Sequence, residues 1–100
     1  MKYTIVFTRE AIEDLKVFNV RQKKILLDAI ETHLRHEPEK LSKSRIKRLN
    51  NLEWPQYRLR VDKTRVFFDV EADLVIIIAI MPKERSQAWL QKHGKTTKED

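Results

Sequence analysis

One hundred residues carry 21 Lys or Arg against 15 Asp or Glu, a net charge of +6, with hydrophobic side chains at 41%. That length holds one core rather than two, and that hydrophobic fraction excludes a disordered chain. The lack of cysteine excludes disulfide and thiolate chemistry, and no run approaches the roughly 20 apolar residues that span a bilayer.

"MKYTIVFTRE" meets charge too early for a signal peptide, so a cytoplasmic chain with no membrane association is expected. Within it, "KYTIVFT" alternates and is rich in β-branched and aromatic residues, which predicts a first strand. Thr8 then stands at a helix N-cap position, and Ile12, Leu15 and Phe18 are spaced for one helical face. Val20, Ile25, Leu26, Ala29, Ile30, His33 and Leu34 continue the stripe until Pro38. These segments predict a helical hairpin broken near Asn19.

"SRIKRLN" over 44–50 predicts a short strand, and "QYRLRV" with "TRVFFDV" predicts a hairpin turning at Asp62 and Lys63. "LVIIIAIM" over 74–81 has no alternation, as a central strand buried on both faces would. Pro82 ends it and a short helix from Glu84 is expected. The order predicts an α+β domain: an N-terminal strand and helical hairpin packed on a mostly antiparallel curled sheet, with a short C-terminal helix. Residues 1–92 are read as one domain, and 93–100, "HGKTTKED", as a polar, frayed tail.

The charge is concentrated in one block. Residues 40–65 hold nine Lys or Arg against Glu53 and Asp62, a net +7, while the remaining 74 residues sum to −1. Such a block is the footprint of a polyanion site, or else a solvated surface. With a two-residue turn, Leu59, Val61, Val66 and Phe68 point at the helices, and Arg58, Arg60, Arg65 and Phe67 share the other face. Guanidinium groups stay ionised and their forked donors match phosphate oxygens. Phe67 and Trp89 are candidates to stack a base there, the competing reading being that Phe67 packs beneath the last helix.

Other chemistries have less support. His33 and His36 form an i, i+3 pair without a third ligand, so neither a metal nor a cofactor is expected. The only glycine is Gly94, which excludes a glycine-rich phosphate loop. No pair of carboxylates stands on the basic face.

"YRLRVDKTRVFFDV" followed by "VIIIAIMPKERSQAW" resembles the RelE/ParE superfamily, the toxins of bacterial type II toxin–antitoxin modules. The resemblance covers nearly the whole chain and implies the same order of elements. Its RelE-like branch, the favoured one, implies a metal-independent endoribonuclease that cuts mRNA on the ribosome by attack of the 2′-hydroxyl on the adjacent phosphate. Arg65 would then grip the scissile phosphate with Arg58, and Lys83 would be the titrating group, with Glu53 as an alternative base. Arg60, Arg85, Lys47, Arg48, Trp89 and Phe67 would contact the substrate. Trp89 stands where RelE-like members carry a tyrosine and lacks its hydroxyl. The ParE-like branch implies a DNA gyrase inhibitor, and a degenerate, non-catalytic toxin is a further alternative. Both active branches imply a cognate antitoxin as partner.

Overall fold

The computed structural model describes residues 2–96. Strand β1 (Thr4–Phe7) leads into helices α1 (Arg9–Leu15) and α2 (Val20–Leu34). Strands β2 (Ile46–Arg48), β3 (Leu52–Trp54), β4 (Tyr57–Val61), β5 (Thr64–Glu71) and β6 (Leu74–Pro82) follow, then α3 (Lys83–His93) and β7 (Lys95–Thr96). The main sheet has the order β1-β6-β5-β4-β2, with β1 parallel to β6 and the other pairs antiparallel. The expected α+β architecture is the one observed.

The helix boundaries follow from capping. The Thr8 side chain accepts the Ala11 N–H at 3.0 Å. Asn19 and Gln22 form a reciprocal capping box that restarts the helix after the break, which satisfies donors a helix start otherwise leaves open. Leu26, Ile30 and Leu34 of α2 then bury with Ala11 against Leu59, Val61, Val66 and Phe68 of the hairpin. The predicted inward face of β4 and β5 is therefore correct.

Beyond Phe7, β6 loses its parallel neighbour, and α1 completes the pairing. Thr8 N–H bonds to the Ile77 carbonyl, its hydroxyl donates to the Ile78 carbonyl, and the Asp14 carboxylate accepts the Ile80 N–H at 2.9 Å. A register shift between Phe67 and Phe68 leaves Ile78 as an extra residue in β6. Ile77 and Ile80 therefore join the helix-side core while Ile78, Ala79 and Met81 face the other way. This is why β6 has no apolar alternation: both of its faces are covered.

The second face carries its own core. Phe67, Ile78, Ala79 and Met81 lie beneath Trp89 and Leu90 of α3. The tail differs from its expectation in part: His93 ends α3 and Lys95–Thr96 pair with β3 in a small second sheet. Gly94 permits that exit, since a Cβ there would stand 2.6 Å from the Leu90 carbonyl oxygen. Residues 97–100 of the expected tail lie outside the described residues.

Candidate functional site

The β4–β5 hairpin has the register that the two-residue turn predicts, with Val61 opposite Thr64, Arg60 opposite Arg65 and Arg58 opposite Phe67. Asp62 enters the turn at φ 55°, a left-handed geometry that Asp tolerates better than most residues. Lys47 of β2 pairs with Arg58, so it continues the cationic row towards the sheet edge. Lys47 and Arg60 are exposed and Arg58 is half-buried.

The three hairpin arginines are electrostatic neighbours. Burial is the main cause that lowers the Arg58 pKa, and the charges of Arg65 and Arg60 add to it. Arg65 is lowered chiefly by burial and then by Arg60, with Glu84 opposing. Among the described residues, no ion pair involves any of the three. Arg58 Nε is buried with no hydrogen-bond partner, the single such side-chain atom among the described residues. A buried donor without an acceptor costs about 1–3 kcal/mol, which an incoming anion would relieve.

Arg65 differs from its neighbours. Only 8% of the residue is exposed, and its Nη1 donates to the carbonyls of Asp62 at 2.9 Å and Thr64 at 3.2 Å. It holds the turn that presents the cationic face. Lys83 is exposed at the first turn of α3, where its backbone N–H bonds to the Lys63 carbonyl of the same turn at 2.8 Å.

Three expected substrate contacts have other surroundings. Phe67 is fully buried and stacked on Trp89, with ring centroids 5.3 Å apart and planes 8° from parallel. It has no face to offer a base, because it packs beneath α3, as the competing reading of the sequence has it. Arg48 projects to the helix side, 5.4 Å above the Tyr57 ring. Its Nη1 donates to the carbonyls of Leu49, Leu52 and Gln56 at 2.9, 3.3 and 2.7 Å, so it gathers the 49–56 loop. Arg85 lines a groove between α1 and α3 with Glu13, Asp14 and Val17.

Trp89 is half-buried between Phe67, Trp54 at 6.0 Å and His93 at 5.2 Å. Trp54 was not singled out in the sequence; its one signal is a large aromatic residue beside Pro55 in an otherwise polar stretch. Glu53 is exposed on β3. Among the described residues there is no group of three or more His, Asp or Glu side chains placed to hold a metal ion, and no helix is long and apolar enough to cross a membrane.

A helical hairpin on a curled sheet, with a cationic β-hairpin beside a short C-terminal helix, is the architecture of the RelE/ParE superfamily of toxins. The family model described as the ParE toxin of type II toxin–antitoxin systems, parDE, matches residues 5–87, and the chain belongs to that family. It is the toxin component of a type II toxin–antitoxin module.

Solved structures agree in fold. The RelBE2 toxin–antitoxin complex from Mycobacterium tuberculosis is similar at TM-score 0.69 and 20% identity, covering 82% of this chain and 99% of that one. The archaeal RelE–RelB complex from Pyrococcus horikoshii gives TM-score 0.69 and 20% identity over 85% of this chain and 99% of that one. A double arginine-to-alanine mutant of toxin RelE of E. coli in the free state gives TM-score 0.54 and 19% identity over 89% of this chain and 92% of that one. At such identities the likeness is one of fold. No curated protein matches the chain.

Proposed function

We propose that this toxin is a metal-independent endoribonuclease that cleaves mRNA on the ribosome, gripping the scissile phosphate on the outer face of the β4–β5 hairpin. The observation that carries the reading is Arg58 Nε, a buried donor without an acceptor among mutually repelling guanidiniums. A phosphate oxygen supplies the missing acceptor and the missing negative charge together. Attack of the 2′-hydroxyl on the adjacent phosphorus forms a dianionic phosphorane whose charge Arg58 and Arg60 stabilise. Its collapse breaks the bond to the 5′ oxygen, which departs with a proton as a 5′-hydroxyl and leaves a 2′,3′-cyclic phosphate behind. Arg65 positions the turn, and Lys83 at the start of α3 is the candidate to take the 2′-hydroxyl proton. Such a set is poor in ordinary acid and base groups. It suits a substrate that the ribosome itself orients, because positioning supplies much of a rate enhancement.

The partner implied is an antitoxin that covers the +7 block, as the solved relatives were crystallised in toxin–antitoxin complexes. A second reading, inhibition of DNA gyrase, is favoured by the matched family's description as ParE and by Trp89, which brings no hydroxyl to the site.

Primer extension on a defined message in a reconstituted translation system tests the proposal. Discrete cuts at A-site codons, lost in a folded Arg58→Ala variant, support it. Intact message on translating ribosomes together with trapped gyrase–DNA complexes would overturn it in favour of the second reading.

A further inference from the structure

A second cationic feature lies round the β2 edge from the hairpin arginines. A cavity of about 280 Å³ opens between the C-terminal turn of α2, the loop after it and β2, and its walls include His33, His36, Glu37, Lys40, Ser42 and Arg45. The carboxylate among them, Glu37, faces Lys40 at 3.7 Å. The Ser42 hydroxyl oxygen accepts the N–H groups of Arg45 at 2.9 Å and Ile46 at 3.3 Å. An oxygen that accepts twice still has its own proton to donate. The walls therefore offer the Arg45 guanidinium, the Ser42 hydroxyl proton and the His33 imidazole, beside a Lys40 ammonium shared with the Glu37 carboxylate.

We propose that this cavity binds a phosphate group, with Arg45 and Lys40 supplying the charge, Ser42 a hydroxyl donor and His33 an imidazole N–H. The volume leaves room beside a phosphate for the sugar of a nucleotide or of a nucleic-acid backbone. The site does not depend on what the toxin attacks, and it would serve a ribonuclease or a gyrase inhibitor alike.

The half-buried His33 supports the assignment. Burial holds its proton affinity below the ordinary value and Arg45 lowers it further, which places the guanidinium where it acts on the imidazole. The C-terminal end of α2 contributes roughly half a negative charge nearby, and Glu37 contributes a full one. Lys40 and Arg45 exceed the two by a small margin at neutral pH. An anion entering the cavity favours the protonated His33, so binding strengthens as pH falls through the His33 titration.

The test uses the full chain made by cell-free synthesis, with the imidazole signals of His33 and His36 followed by NMR against pH. Inorganic phosphate, AMP and a hexauridylate are added in separate titrations. The expected result is a saturable rise in the His33 titration midpoint, weakened about tenfold or more in Arg45→Ala, the worth of one charge-assisted hydrogen bond. A larger effect from the hexauridylate than from AMP assigns the site to a nucleic-acid backbone, and an equal one assigns it to the free nucleotide; both support a phosphate site. Lys40→Ala, at an exposed position, gives a second variant that leaves the fold intact. A His33 signal unmoved by all three probes would overturn the proposal, as would a shift that persists undiminished in both variants. The readout is independent of cleavage, so failure here is distinguishable from failure of the ribonuclease reading.

Discussion

Arg60 and Arg65 face each other directly across the β4–β5 hairpin, yet the two guanidiniums have opposite roles. Arg60 is exposed, whereas Arg65 is buried and bonded to the carbonyls of Asp62 and Thr64. A cross-strand pair of like charges costs a few tenths of a kcal/mol up to about 1, and the charge-assisted bonds of Arg65 offset that cost locally. Arg65→Ala is therefore expected to destabilise the fold by about 2 kcal/mol. Arg60→Ala should stabilise it by a few tenths to about 1 kcal/mol. Urea denaturation of the two variants checks the sign difference. It also bears on activity, since a loss of function in Arg65→Ala combines loss of the turn with loss of any phosphate contact, while Arg60→Ala isolates the contact.

The turn between β5 and β6 stores strain that the sequence does not advertise. Ala72 sits at φ 56°, a left-handed geometry that costs an L-residue with a Cβ roughly 1–2 kcal/mol. Glycine has no such penalty but loses about 0.5–1 kcal/mol of backbone entropy relative to alanine. Ala72→Gly is therefore expected to raise stability by roughly 0.5–1 kcal/mol. An unchanged or lowered denaturation midpoint would refute this account of the turn.

Asp69 predicts a pH dependence. Its Oδ1 accepts the Gln56 N–H at 2.7 Å, while Gln56 Oε1 accepts the Val70 N–H at 3.0 Å. Burial raises the carboxyl above its ordinary 3.8, against the opposing effects of the Gln56 bond and Arg48. The folded protein thus holds that proton more tightly than the unfolded chain. The contribution of Asp69 to stability is fullest below 3.8 and falls as pH climbs through the window just above it. Asp69→Asn keeps an oxygen to accept the Gln56 N–H without the charge. Its stability relative to wild type should rise across that window and then level off, as measured by urea denaturation at a series of pH values. A difference that does not change with pH would show that the carboxyl is not desolvated.

The hairpin was legible in the sequence because two signals agree: Leu59 and Val61 alternate with arginines as Val66 and Phe68 do with Arg65 and Phe67, and a two-residue turn at Asp62 and Lys63 sets Leu59 opposite Val66 on one face. The helix break was legible from Asn19, whose capping box with Gln22 is a purely local device. What covers the far face was open between two readings for Phe67, an exposed stacking ring or a ring packed beneath the last helix, and the second is the one observed. Placing α3 over Phe67 is a tertiary choice, and the bulge at Ile78 erases the alternation that would have shown which residues of β6 lie beneath it. Arg48 has surroundings other than those expected for a more local reason. Its neighbours in sequence make it part of a charge block, but its phase in β2 turns it to the helix side, where backbone carbonyls of a loop eight residues long are its acceptors. The cavity at His33 and Arg45 was invisible because its walls come from segments that meet only when β2 docks beside α2.

The second core makes the last prediction. Phe67 is fully buried and lies against Trp89, which also touches Trp54 and His93. One ring therefore joins the sheet, α3 and the β3–β7 sheet. Truncating a buried phenylalanine costs about 3–5 kcal/mol, and Phe67→Ala should fall in that range. The loss should concentrate in the C-terminal region, because Leu59, Val66 and Phe68 on the other face keep their packing. Tryptophan fluorescence, which reports Trp54 and Trp89, is expected to shift to the red at lower urea than far-ultraviolet circular dichroism, which reports the main sheet and α2. Coincident transitions would mean that the two faces fold as one unit and that α3 is not a separable cover. If cleavage needs Lys83 held beside the hairpin turn, activity should disappear with the fluorescence transition rather than with the dichroism. That order of loss would tie the function to the placement of α3 on Phe67.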